Sequence, residues 1–310
     1  MADARKSFSR AGWAFVAFEV GTLLGKVLIA FIIVLGEARL GWDLSDWQEF
    51  CVQDFFRYLT SVPLYYLVFR SVPSCPPKKE TWSFKKLVLT MIMLYGLIEV
   101  GGIIGNLLMF LINGVSSNPS QNGLVELLNT LPIPAIFLCV VVAAPVIEEL
   151  VFRKWLLDRV GRFGERTAVL LSAVVFGLAH GNFYQFFYAF AAGGVFAYIY
   201  MRTGKIQYTI GFHMVVNFLG SIIPMLMLDE IFSGAAKSGT LLAMVLYASA
   251  VLGVAAAGCT LLIGWRKRLK WVAAEQEMPA GQRLKTVWRN PGMIACSVVL
   301  LAIFVLNLMF

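Results

Sequence analysis

Ala143-Ala144-Pro145-Val146-Ile147-Glu148-Glu149-Leu150-Val151-Phe152-Arg153 is an apolar run broken by two adjacent acids and, a helical turn later, by a base. It lies inside a hydrophobic stretch, Ile133 to Leu156, long enough for a bilayer crossing of ~20 residues. Ionisable groups inside such a stretch are costly, so a functional site is their default reading. Working outward, the same kind of run recurs from Trp13 to Leu35, Phe56 to Phe69, Leu87 to Ile112, Thr167 to Ala179, Phe183 to Met201, Ile206 to Leu228, Leu241 to Ile263 and Met293 to Phe310. The second and fifth spans in chain order are short and draw on flanking residues. The expected fold class is all-α, a multispanning transmembrane bundle of eight to nine helices. No linker is long enough to hold a soluble domain. The chain divides into N-terminal helices (1–130), a core (131–228) and C-terminal helices (229–310).

Composition agrees. Of the 310 residues, 59% are hydrophobic and only 14% charged, where a soluble domain carries about a quarter. Mean hydropathy is +0.76. The net charge of +8 raises the question of nucleic acid, but its distribution answers it. With the N terminus cytoplasmic, only Arg39, Arg57 and Lys237 of the 26 basic residues fall at or near the outer side, and Lys26 lies within the first span. That is the positive-inside pattern, which points to orientation in lipid and to no nucleic-acid partner. The chain is expected in the cell membrane as a multi-pass protein. Its basic, then apolar N-terminal segment is too long for a signal peptide and lacks a small-residue cleavage site, so it is read as a retained span. The five cysteines are scattered, with no CxxC, and suggest neither a disulfide framework nor a zinc ribbon.

Between the spans, Glu37 to Asp54 is acidic and carries Trp42 and Trp47, as an outer interfacial loop would. Ser71 to Thr81 is a proline-rich cytoplasmic break, and Asn113 to Asn122 a polar outer loop. Trp265 to Asn290 is basic and is expected on the lipid surface. Gly101-x-x-x-Gly105 and Gly193-Gly194 suit close helix packing.

The chain has only two histidines, and both interrupt apolar runs. Phe176-x-x-x-His180 and His213-x-x-x-Asn217 each place two side chains on one helix face. Glu149 and Arg153 share a face and can pair, while Glu148 is turned ~100° away. One carboxylate is thus neutralised and the other is free to point into the bundle, just after Pro145, which loosens the helix locally. An ordinary ion pair would account for Glu149 and Arg153 but leaves Glu148 unexplained. Histidine and asparagine can stabilise an oxyanion or ligate a metal, or simply bond between helices. Counted from a hairpin tip near Arg162 and Phe163, Glu148 and His180 fall within ~5 Å of one level. Counted from the charged boundaries, with Arg166 as marker, His180 lies deeper than Glu148 and His213, which both sit ~10 Å below the face.

Glu148-Glu149-x-x-x-Arg153, Phe176-x-x-x-His180 and His213-x-x-x-Asn217, in that order and each in an apolar run, resemble the three motifs of the CPBP family. These are the CAAX proteases and bacteriocin-processing, or Abi-type, intramembrane proteases, and they include the type II prenyl-protein endoprotease. The resemblance covers about Leu131 to Leu228. It implies an integral-membrane endopeptidase cutting a peptide bond near the cytoplasmic face. Glu148 would activate water held by His180, His213 and Asn217 would stabilise the oxyanion, and Arg153 would fix Glu149. An alternative family mechanism is that of a metalloendopeptidase, with zinc on Glu148, His180 and His213, whose residue types suit it. The implied partners are a peptide or protein substrate and the bilayer. HExxH and the serine and aspartyl intramembrane-protease motifs are absent. The rival readings are a proton-coupled transporter, for which Glu19, Lys26, Glu99 and Asn106 would line a path, and a non-catalytic immunity or scaffold protein.

Overall fold

The computed structural model describes residues 1–116, 119–226 and 238–309. Ser117 and Asn118 of the polar loop, positions 227–228 of the seventh span, Lys237 and Phe310 lie outside them. Eleven helices are described: α1 (Ala2–Leu40), α2 (Asp46–Phe69), α3 (Phe84–Asn113), α4 (Gly123–Thr130), α5 (Ile133–Phe163), α6 (Glu165–Ala179), α7 (Phe183–Thr203), α8 (Ile206–Leu226), α9 (Ser238–Trp265), α10 (Ala280–Trp288) and α11 (Pro291–Met309). Among the described residues there are no strands. Every expected span is helical over its described part. Among the described residues six helices are long and apolar enough to cross a membrane: α1, α3, α5, α8, α9 and α11. The shorter α6, 15 residues, rises only ~22 Å.

α5 is the hub. On one side α1 and α2 form a hairpin that packs against it. Phe15 stacks on Phe152 at 5.3 Å, and the Tyr65 hydroxyl donates to the Val151 carbonyl at 3.2 Å. The α1–α2 approach is close because Gly21 has no side chain: a Cβ there would lie 2.5 Å from Ser61 Cα. On the other side stand α6, α7 and α8, with α3 and then α9 outside α7. The Gly101-x-x-x-Gly105 motif makes the α3–α7 contact, since added Cβ atoms would meet Tyr188 N at 2.6 Å and Phe183 O at 2.4 Å. Gly193 does the same for α6 and α7 against Ala173 and Phe176. Outer faces, such as Leu23, Val27 and Phe31 of α1 or Leu242, Val245 and Leu246 of α9, are exposed and apolar, as lipid-facing helices require.

α5 is not a regular α-helix. It widens into π turns at Phe137–Ala143 and Leu150–Trp155, on either side of Pro145 and the two glutamates. Its end tightens over Gly161–Phe163, and Gly164 turns the chain with φ 138° into α6. The turn is locked by the segment expected on the lipid surface. Gln276 and Met278 donate backbone N–H groups to the carbonyls of Arg162 and Phe163, and Val272 N–H donates to Glu165. That segment therefore straps the hairpin tip before α10 begins.

Candidate active site

The α5–α6 hairpin sets the register of the site. Ser172 Oγ donates to the Phe152 carbonyl at 2.8 Å, and the Phe152 and Phe176 rings meet edge-on at 5.1 Å. The helices are antiparallel. One turn farther from the tip, Phe152 leads back to Glu148 and Phe176 leads on to His180. The two side chains thus reach one level, and His180 sits in the electrostatic field of Glu148. Of the two counts made from the sequence, the one from the hairpin tip agrees with this arrangement. Arg166, the marker for the deeper count, is itself held by the strap, lying over the Trp271 ring at 5.4 Å.

α8 brings in the second histidine. The Phe176 ring stands edge-on to both imidazoles, at 4.9 Å from His180 and 5.8 Å from His213. Phe196 of α7 stacks on His213 at 5.1 Å. Glu149 and Arg153 are fully buried and paired at 3.2 Å. The same Glu149 oxygen, Oε1, accepts from His213 Nδ1 at 3.0 Å. The Glu149–Arg153 contact is an ion pair without a hydrogen bond from any guanidinium nitrogen of Arg153, and the guanidinium lies against aromatic faces, 4.1 Å from the Phe176 centroid and 5.2 Å from that of Phe196. Such faces attract a cation. Glu148 is in a different position. Its side chain retains 24% exposure, and its Oε2 faces His213 Nε2 at 3.8 Å.

The partners fix the tautomers. His180 Nδ1 lies 2.8 Å from the Phe176 carbonyl, which can only accept. His213 Nδ1 faces a carboxylate already paired with Arg153. Both therefore donate from Nδ1, and in the neutral form keep a lone pair on Nε2. Imidazole nitrogen and carboxylate are ligand types that zinc takes. Among the described residues, however, no three His, Cys, Asp or Glu side chains converge closely enough to hold a metal ion. As placed, Glu148, His180 and His213 do not converge as the alternative, zinc-holding arrangement would require.

Asn217 makes the interhelical bond that was one of its two readings. Its Nδ2 donates to the Val140 carbonyl at 2.8 Å. In the π turn, Ala144 N–H reaches back to Cys139. The next bond in that series would run from residue 145 to Val140, but Pro145 has no N–H. Asn217 supplies the missing donor and thereby ties α8 to α5.

Sequence reasoning missed the α2 wall. Cys51 and Cys139 meet at 3.6 Å and Tyr65 meets Val151, so α2 runs beside α5 and the stretch between faces the glutamates. Arg57 pairs with Asp54 at 2.5 Å, lies over the Tyr58 ring at 4.3 Å, and interacts electrostatically with Glu148 and Glu19. The signal was present in Arg57, one of the few bases outside the positive-inside pattern. Of the transporter candidates, Lys26 is exposed and Asn106 bonds its own helix at Gly102. Glu99 interacts electrostatically with a tyrosine on each of α3 and α9, Tyr95 and Tyr247.

Residues 130–219 match the family described as type II CAAX prenyl endopeptidase Rce1-like. This segment carries α5, α6, α7 and most of α8, and with them every motif residue named above. Over 120 residues the chain is 28% identical to the Bacillus subtilis (strain 168) protein named "Putative membrane peptidase YdiL". The match covers 37% of this chain and 47% of that protein, so about half of the curated relative is spanned. No solved structure matches the chain. The resemblance to the Rce1-like family rests on the hub of the bundle, and the flanking α1–α3 and α9–α11 lie outside it.

Proposed function

We propose that this chain is an integral-membrane endopeptidase in which Glu148 is the general base. The observation that carries the reading is the contrast between the two glutamates. Glu149 is consumed by Arg153 and His213, whereas Glu148 is partly exposed, lies level with His180 and faces His213 Nε2.

A water between Glu148 and the His180 Nε2 lone pair attacks the peptide carbonyl carbon, and Glu148 takes its proton. The tetrahedral oxyanion is met by His213 in its doubly protonated form, its Nδ1–H held by Glu149 and its second N–H aimed from Nε2, so that the oxyanion balances the charge that Glu149, already paired with Arg153, leaves over. The second N–H of Asn217 is the other donor. Such donors contribute ~3–4 kcal/mol each. The C–N bond then breaks, and Glu148 returns its proton to the leaving amine. Arg153 holds Glu149, and through it the tautomer of His213. The substrate is a peptide or protein segment, cut near the cytoplasmic face. The N terminus is on that side by the positive-inside rule, and the enzyme resides in the cell membrane.

The test compares membranes from cells expressing wild-type chain, Glu148→Gln and His180→Ala. New protein termini are catalogued by mass spectrometry. Termini produced by the wild type should disappear in both variants, while each variant folds and inserts at the wild-type level. Wild-type termini persisting in Glu148→Gln would remove Glu148 from the chemistry.

A further inference from the structure

We propose that the cleft between the first turns of α1 and the start of α11 is a binding site for the phosphate of an anionic phospholipid headgroup. α1 begins well before its apolar run, which starts at Trp13. Its first turns bury one face, through Ala4, Ser7, Phe8 and Ala11. The opposite face carries Arg5, Lys6 and Arg10, all exposed. With Ser9, Trp13 and Pro291 they line a single cleft.

Three features make this more than a topology signal. First, the charge is uncompensated. Asp3, the one acid in these turns, is engaged by Arg162 at 2.9 Å. Among the described residues, Arg5, Lys6 and Arg10 have no carboxylate within ion-pair distance. Second, the cleft is built. Gly12 and Gly292 bring α1 and α11 into backbone contact beneath it, where a Cβ on either would lie under 2.5 Å from its neighbour. Ser9 Oγ accepts from Gly292 N–H at 3.1 Å, and Arg5 donates to the Arg289 carbonyl at 3.1 Å. The cations therefore stand on a rigid floor. Third, the depth suits a headgroup. Trp13, 44% exposed, is the interfacial aromatic. Below it, Ile294 and Val298 of α11 are exposed and apolar, a surface for an acyl chain. A soluble phosphate would satisfy the cations but leave that surface unused.

The experiment uses the full chain in detergent with mixed micelles of phosphatidylglycerol or phosphatidylcholine. Bound lipid is counted by native mass spectrometry, and thermal unfolding is followed in parallel. Phosphatidylglycerol should be retained and should raise the melting temperature over phosphatidylcholine. Arg5→Gln/Lys6→Gln/Arg10→Gln should lose both effects. Affinity should fall roughly fivefold per charge removed, on the order of a hundredfold for all three. Lys6→Gln/Arg10→Gln keeps the Arg5–Arg289 bond and should lose about twenty-five-fold, a readout that stands if the triple variant folds poorly. Lys78→Gln/Lys79→Gln, which removes charge elsewhere on the same side, should behave as wild type. Three results would overturn the site: undiminished phosphatidylglycerol retention in the double variant, an equal loss in the Lys78/Lys79 control, or an equal melting shift from inorganic phosphate alone.

Discussion

α5 and α9 are both long, apolar helices fit to cross a membrane, yet they are opposite kinds of structure. α5 buries 44% of its most apolar stretch, α9 only 11%. α9 is a regular α-helix whose exposed leucines and valines face outward. α5 is twice widened into π turns, contains a proline, and carries a fully buried ion pair. Hydropathy finds both helices and ranks neither. The difference lies in what interrupts the apolar run. α9 carries no ionisable group but Cys259 and Tyr247, whereas α5 has acids and bases, of which Glu149 and Arg153 are fully buried and face each other as an ion pair. Wide turns of this kind concentrate at functional sites, and the first of the two in α5 shows a reason. It turns a backbone carbonyl away from its own helix and makes it an anchor for the next.

The strongest way to break the comparison is through the buried pair. Arg153→Ala leaves Glu149 charged, buried and held only by His213. Unpairing a buried ion costs about 3–5 kcal/mol. Leu246→Ala on α9, at a site 60% exposed to the surroundings, should stay within about 0.5 kcal/mol. Unfolding midpoints in detergent read both. Equal losses would mean that α5 is no more central than α9.

The next effect concerns Pro145 and Asn217. Asn217→Ala orphans the Val140 carbonyl, a cost of about 1–3 kcal/mol. In a Pro145→Ala background the restored N–H can take that carbonyl itself. The same asparagine substitution should then cost markedly less, a coupling of about 0.5–3 kcal/mol in a double-mutant cycle. Strict additivity would show that Asn217 does not substitute for the missing proline donor.

This pair also marks the limit of what could be read from the chain. The spans, the shared faces at four-residue spacing and the division between Glu148 and Glu149 follow from periodicity and charge, because each is local to one helix. The Asn217–Val140 bond does not, since it depends on a π register that no side-chain pattern announces. The two counts for the level of His180 disagreed for a related reason. Charged boundaries locate a helix in the bilayer only if its end is free, and the tip at Gly161–Gly164 is held in a strap from a distant part of the chain. The α2 wall was hidden because Arg57 acquires its meaning from neighbours on α5, not from its own helix.

The smallest effect gives the sharpest sign. Gly101 of α3 and Gly253 of α9 are both mid-helix glycines in apolar surroundings. At Gly101 an added Cβ would lie 2.6 Å from the Tyr188 backbone, which cannot give way like a flexible side chain. Gly101→Ala must push α3 off α7, and overpacking of this kind costs about 1–3 kcal/mol. At Gly253 nothing lies within 4 Å. There the methyl meets no neighbour, and alanine is the better helix former by about 1 kcal/mol. Gly253→Ala should therefore be neutral or raise the melting temperature, while Gly101→Ala lowers it. The two substitutions are chemically identical, so an opposite sign can come only from what stands across the helix face. A loss at Gly253 as large as at Gly101 would mean that α9 is packed as tightly as the hub, and the contrast between the two helices would fail.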